Sequence, residues 1–310
     1  MTEPVVAAVD CGTNSVRLLV ARVGETGLVE LHREMRIVRL GEGLDRTGRL
    51  AAAALARTAE ALRDYAGIIE RLGAQRVRLV ATSAARDAAN RDEFEAMVRA
   101  ALGVDADIIS GAEEASLSLR GALCGLADDR PALVLDIGGG STELVLGGSG
   151  ESTARAAVSM DVGCVRLTER WLHDDPPTTT QVDGLCADVA DHLVGLDPLL
   201  KQAAGGSVIG VAGTVTTIAA LALELPGYDR SRIHRTALPI DAVLRVTDEL
   251  LAMSHAERVA QPVIHPGRVD VIVAGALILR TILNWGGAVE LIASESDILD
   301  GIAMSLATLG

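Results

Sequence analysis

Ten residues near the start of the chain, V-D-C-G-T-N-S-V-R-L (Val9–Leu18), align without a gap on ten near its middle, L-D-I-G-G-G-S-T-E-L (Leu135–Leu144). Asp10 falls on Asp136, Gly12 on Gly138, Ser15 on Ser141 and Leu18 on Leu144. The second copy is the fuller one. Ala132–Leu135 lead into Asp136, three glycines turn the chain, and Ser141–Leu146 run away as a second strand that carries Glu143. Such a segment is a β-hairpin whose tip suits an anion. Glycine adopts the φ > 0 geometry of a backbone nest and lets N–H groups approach a ligand, so Gly138, Gly139 and Gly140 can cradle phosphate while Ser141 and Thr142 add hydroxyls. An acid at the end of a buried strand is costly without a partner, and beside phosphate a divalent cation is the natural one. On these residues alone, a plain glycine-rich hairpin with Asp136 bonded to its own turn is an equal alternative.

The spacing of the two copies is far too long for a solenoid repeat and predicts domain duplication instead, two related domains facing one cleft. The copies differ where it matters: Arg17 stands where Glu143 stands, so one hairpin offers a cation to a substrate and the other an acid to a metal.

A chain of 310 residues is long enough for two such domains. Hydrophobic residues make up 49% of it and aromatics only 2%, so the cores must be built from Ala, Val, Leu and Ile, which suits α/β layers. The net charge of −14, without a basic run, argues against nucleic acid and requires any polyanionic substrate to meet a local positive site. Cys11, Cys124, Cys164 and Cys186 lack C-x-x-C spacing and read as buried residues in a reducing compartment. Met1–Val9 has no charged n-region, and the longest apolar stretch, Val271–Leu283, is interrupted by Arg280 and too short for a bilayer. A soluble cytoplasmic protein is expected.

Periodicity predicts strands at Val5–Asp10, Val16–Arg22 and Leu28–Leu40, with a turn at Gly24–Gly27. A helix over Ala51–Leu72, a strand Val77–Ala81, a helix near Asp92–Leu102, a strand Ala106–Ile109 and a helix from Ser110 to about Leu126 complete the first half. Asp128–Pro131 reads as the hinge. The second half repeats the pattern with strands at Ala132–Asp136, Thr142–Gly147 and Ala154–Met160. Helices follow near Gly163–Trp171 and Thr180–Ala203, then a strand Val208–Ala212 and a helix Val215–Leu225. Gly227–Pro239 reads as a polar connection, Asp241–Met253 and Val269–Trp285 as helices, Val289–Ala293 as a strand and Asp297–Thr308 as a closing helix able to cross back to the first domain.

A third glycine turn, V-A-G-T-V-T-T (Val211–Thr217), follows a strand and opens a helix, whose N-terminal N–H groups favour an anion; Gly213 and Thr214 at such a place also suit an ordinary helix cap. In I-S-G-A-E-E-A (Ile109–Ala115), Ser110 and Glu113 have capping-box spacing, so the Glu113 carboxylate is assigned to the Ser110 N–H. Glu114, turned about 100° away on the helix, is either a candidate general base or a solvated first-turn acid. Arg86, in T-S-A-A-R after a strand, is suited to grip phosphate oxygens with its guanidinium fork. The six histidines show no metal-ligand spacing, and no Ser-His-Asp or Cys-His pattern supports covalent catalysis.

Seven stretches in order, VDCGTNSVRLLV, TSAARDAAN, ISGAEEA, LDIGGGSTELV, VGCVRLTERW, VAGTVTT and HPGRVDVIVAGALIL, span nearly the whole chain. Together they resemble the exopolyphosphatase / guanosine pentaphosphate phosphohydrolase family of the actin, sugar kinase and heat-shock ATPase superfamily. The resemblance implies two ribonuclease-H-like domains around an interdomain cleft and Mg²⁺-dependent hydrolysis of a terminal phosphoanhydride, with Mn²⁺ as a substitute. It makes Glu114 the catalytic base and Arg86 the phosphate-holding arginine. It makes Asp136 and Glu143 the metal carboxylates, with Asp10 grouped beside them as the aligned acid. Thr13, Asn14, Ser15, Gly138–Thr142, Gly213 and Thr214 match its phosphate loops. Cys11 and Thr13 depart from its commonest leucine and serine, Thr13 keeping the hydroxyl, and the helical C-terminal domains of its long members have no counterpart. Inorganic polyphosphate is the expected substrate, guanosine pentaphosphate the runner-up, and a non-catalytic sensor of either the distant alternative. A homodimer is left open, because Val269–Trp285 serves a core or an interface equally well.

Overall fold

The computed structural model describes residues 3–24, 27–125, 131–148 and 154–307. The chain runs through β1 (Val5–Cys11), β2 (Ser15–Gly24), β3 (Gly27–Ile37), α1 (Leu44–Thr47), α2 (Ala52–Arg71), β4 (Arg76–Ala81), α3 (Ser83–Asp87), α4 (Arg91–Leu102), β5 (Ala106–Ile108) and α5 (Gly111–Ala122). It continues as β6 (Ala132–Ile137), β7 (Thr142–Gly147), β8 (Ala156–Met160), α6 (Cys164–Trp171), α7 (Thr179–Leu193), α8 (Pro198–Ala204), β9 (Ser207–Val211) and α9 (Ala212–Ala222). Last come α10 (Arg230–Ile233), β10 (Thr236–Pro239), α11 (Ile240–Ala252), α12 (His255–Val259), α13 (Ile272–Gly286), β11 (Glu290–Ala293) and α14 (Ile298–Ala307). Two units result: Met1–Ala127 with Ser296–Gly310, and Asp128–Glu295.

The two sheets share one topology. In the first unit the strand order is β3-β2-β1-β4-β5, with β2 antiparallel to β1 and β3, and with β4 and β5 parallel to β1. In the second it is β8-β7-β6-β9-β11, with the same directions and β10 added antiparallel at the edge. This is the ribonuclease-H-like order, present once per unit, and it is the architectural form of the duplicated hairpin.

Alternation along the strands gives the first sheet two buried faces. Ala7, Val9, Cys11, Val16, Leu18 and Val20 pack under α2 and α4 with Leu62, Tyr65, Phe94 and Val98. Val6, Ala8, Leu19, Ala21 and Val80 pack under α5 and α14 with Leu117, Ile298, Leu299, Ile302 and Leu306. Helix α14 approaches α5 closely enough that a Cβ on Gly121 would lie 1.7 Å from the Asp297 carbonyl oxygen, and one on Gly301 would lie 2.1 Å from that of Leu117. The second unit has an aliphatic core around α13, which is buried from Ile272 through Leu279.

Three sequence expectations need correction. The single helix expected over Thr180–Ala203 is two, because Asp197 caps a new start at Leu199 N–H and Pro198 takes its first position. The polar connection Gly227–Pro239 contains α10 and the edge strand β10, which pairs with β11 from Thr236↔Ala293 to Pro239↔Glu290. T-S-A-A-R forms the short helix α3, for which no element was expected. The expected hinge lies outside the described residues except for Pro131, as do residues 25 and 26 of the first turn, Leu126 and Thr308. No helix among the described residues is long and apolar enough to cross a membrane.

Candidate active site

In the first unit, α3 ties the N-terminal hairpin to α5. The Thr13 hydroxyl lies 2.9 Å from that of Ser83, at the start of α3. Three residues on, Arg86 Nη1 donates to the Ile109 carbonyl at 3.0 Å and to Glu114 Oε2 at 3.2 Å. Glu114 is therefore no solvated first-turn acid: it is 7% exposed, and a guanidinium lies against its carboxylate. Arg86 Nε and Nη2 make no hydrogen bond to a described residue, so the fork keeps donors for a ligand. Ser110 Oγ caps α5 by accepting from the Glu113 N–H, but the Glu113 carboxylate pairs with Arg78 Nη2 at 2.7 Å; the reciprocal half of the expected capping box is replaced by that ion pair.

The hairpin tip is held through its carbonyls. Gly12 N–H donates to Ser15 O at 3.0 Å, Val38 and Arg39 N–H donate to Asn14 O, and Gly41 N–H donates to Thr13 O. The side chains of Asn14 and Ser15 make no hydrogen bond to a described residue. Arg17 is placed differently from the others. Its Nε and Nη2 donate to Asp10 Oδ2 at 2.8 and 2.6 Å, and its Nη1 to Asp297. Burial pushes the Asp10 carboxyl above the ordinary range, with Arg17 pulling the other way.

The second unit repeats the tip with a different lining. Gly138 N–H donates to Ser141 O at 3.0 Å, the counterpart of the Gly12–Ser15 bond. The Cys164 N–H then takes Gly138 O, those of Val165 and Arg166 take Gly139 O, and Arg166 Nε takes Gly140 O. With the carbonyls turned to α6, the N–H groups of Gly139, Gly140 and Ser141 have no acceptor among the described residues. That is the donor arrangement an anion requires. The approach of α6 is close: a Cβ on Gly163 would lie 2.4 Å from Gly139 C and O. Thr142 Oγ1, in contrast, donates to Val162 O at 2.6 Å and is spent on the fold.

The third turn joins this one. Ala212 begins α9 at φ 66°, a left-handed conformation costly for a residue with a Cβ. Gly213 follows with the Arg268 guanidinium so close that a Cβ would lie 2.2 Å from its carbon. Thr214 is buried, and burial pushes the Cys164 thiol up to about 11, with the Arg268 charge pulling the other way. Arg268 thus lies against the third turn, and its charge also acts on Cys164, whose N–H holds the Gly138 carbonyl. Arg268 was missed in the sequence although its motif, HPGR, stood out, because nothing in the spacing aims it at Gly213.

Asp136 and Glu143 are register partners across β6 and β7, 7% and 1% exposed, and Glu143 Oε1 accepts from Ser159 Oγ at 2.7 Å. Adjacent buried carboxylates are hard oxygen donors of the kind Mg²⁺ takes, one or two from protein with phosphates supplying the rest. The donor set fits that ion. Among the described residues no group of three or more His, Cys, Asp or Glu could hold a metal. A surface cavity of about 560 Å³, lined by Leu225–Arg232, contains none of the residues singled out in the sequence.

The fold and these turns define a two-unit ribonuclease-H-like protein with an anion-suited hairpin in each unit. The chain belongs to the Ppx/GppA phosphatase family, whose model matches residues 19–308. It is 48% identical to the Exopolyphosphatase 2 of Mycobacterium tuberculosis, over 97% of this chain and 98% of that protein. The crystal structure of an exopolyphosphatase-like protein superposes with a TM-score of 0.91 at 42% identity, covering 99% of this chain and 98% of that one. The Guanosine-5'-triphosphate,3'-diphosphate pyrophosphatase of Vibrio cholerae is 31% identical over 94% of this chain and 58% of its own length.

Proposed function

We propose that the protein is an exopolyphosphatase, hydrolysing the terminal phosphoanhydride of inorganic polyphosphate to release orthophosphate. The observation that carries this reading is the 48% identity to an exopolyphosphatase over nearly the full length of both chains. The geometry supports it with a buried acid, Glu114, beside a guanidinium that retains free donors.

In this reading Glu114 accepts a proton from the attacking water, and Arg86 Nε and Nη2 take up charge on the phosphoryl oxygens as it develops. The N–H groups of Gly139, Gly140 and Ser141, with those of Gly213 and Thr214 at the start of α9, hold phosphate oxygens in place, Asn14 and Ser15 adding side-chain donors. Asp136 and Glu143 would hold Mg²⁺, which would supply charge neutralisation to the phosphate oxygens, while Asp10 is bonded to Arg17 within the first unit. Phosphoryl transfer needs chiefly such placement and charge compensation. Arg17 is withdrawn from substrate by its two aspartates. Orthophosphate release from polyphosphate and from guanosine pentaphosphate at equal concentration tests the reading; preference for the nucleotide would transfer the same residues to the pyrophosphatase activity named for the Vibrio relative.

A further inference from the structure

We infer that Ser159, on β8, is a positioning residue that fixes the Glu143 carboxylate for the cation. The inference rests on the proposed use of Asp136 and Glu143 as the Mg²⁺ carboxylates and lies wholly within the second unit. Three neighbouring strands supply one row: Asp136 on β6 is the register partner of Glu143 on β7, and Glu143 is that of Ser159 on β8. Leu135, Leu144 and Met160, their neighbours in the chain, belong to the aliphatic core. Alternation therefore puts the row together on the opposite face of the sheet.

Ser159 Oγ donates to Glu143 Oε1 at 2.7 Å, the length of a charge-assisted O–H···O⁻ bond. Glutamate carries its carboxylate on a long flexible side chain, and the Asp136 carboxylate directly opposite is a like charge that favours other rotamers. A donor on the strand away from Asp136 restrains one oxygen and supports the charged form. A metal ligand held by such an outer hydrogen bond keeps its orientation, and loss of the outer partner costs about 10- to 100-fold in metal affinity.

The first hairpin lacks this arrangement. Met35 on β3 takes the position opposite Arg17, and the acid there, Asp10, is bonded by Arg17 itself. A hydroxyl donor thus stands on the third strand in the unit whose hairpin sets two acids side by side, and an apolar side chain stands there in the other.

The bland reading is that Ser159 only satisfies a buried carboxylate for the sake of the fold. S159A removes the donor, and S159T restores it on a β-branched side chain that strands accept. Mn²⁺ affinity is to be measured by electron paramagnetic resonance titration without substrate, well below the metal-free melting temperature of each variant, so that a role confined to the fold leaves it unmoved. Affinity is expected to fall by at least about tenfold in S159A and to stay within about twofold of wild type in S159T. In the Glu143→Gln background the remaining affinity should be the same with and without the Ser159 hydroxyl, because the effect passes through that carboxylate.

These titrations read the arrangement even if the wild-type protein releases no orthophosphate. Equal Mn²⁺ affinity in S159A and wild type would overturn the inference, as would failure of S159T to restore it. An S159A loss as large without the Glu143 carboxylate as with it, or a wild-type protein that binds no Mn²⁺, would overturn it too.

Discussion

Glu143 stands across β7 and β6 from Asp136 at the register position that Arg17 holds opposite Asp10 on β2 and β1. One hairpin thus closes its acid with a cation of its own, while the other sets two acids side by side. Like charges directly opposite repel, and in the proposed function a divalent cation would compensate them. Glu143→Gln is expected to raise the Mg²⁺ concentration giving half-maximal activity by at least about tenfold. It should also shrink the rise in melting temperature that Mg²⁺ produces, because a ligand stabilises only through its affinity for the folded state. Identical Mg²⁺ titrations for variant and wild type would remove Glu143 from metal binding.

Glu114→Gln preserves the shape of the side chain and can still accept from Arg86, so fold and substrate affinity should persist. Loss of a general base costs about 10²- to 10⁴-fold in kcat. Single-turnover phosphate release, with polyphosphate binding measured alongside, checks both halves; an undiminished rate would exclude Glu114 as the base.

Gly163→Ala tests the packing behind the Gly138–Gly140 turn. The added Cβ meets backbone atoms of Gly139 and Gly140 at 2.4–2.5 Å, and backbone cannot step aside as a flexible side chain can. A cost of about 1–3 kcal/mol in stability is expected, together with a raised KM as the turn is displaced. Thermal melts and steady-state kinetics would contradict this if neither moved.

Asp188 links α6 to α7. Burial pushes its carboxyl up, but hydrogen bonds from Trp171 Nε1 at 2.8 Å and Arg170 Nη1 at 2.9 Å outweigh it and hold the group below the ordinary value of 3.8. A depressed folded pKa gives stability that is present above 3.8 and lost as pH falls through the folded value. Asp188→Asn should therefore lower stability at neutral pH and flatten its dependence on pH in the acid limb, as followed by denaturant unfolding across that range. An acid limb as steep as that of the wild type would assign the dependence elsewhere.

The duplicated hairpin was legible in the sequence because its signals are local: glycine, a flanking acid and strand periodicity fix a turn without help from the rest of the chain. β7 runs from Thr142 to Gly147 as the pattern predicts. Expectations failed where short signals were passed over, at Pro198 inside an otherwise helical run and at the four residues of β10. They were also incomplete where pairing is long-range. Nothing near Arg17 announces that Asp297, 280 residues away, will take its guanidinium, or that Arg268 will lie over Gly213. Alternation places a residue on a face, but its charge partner is set by which helix later covers that face.

Orthophosphate release by the purified protein with Mg²⁺, from inorganic polyphosphate and from guanosine pentaphosphate at equal concentration, tests the central claim most directly. Faster release from polyphosphate, abolished in Glu114→Gln, is the predicted result. Binding of polyphosphate without any release would contradict it.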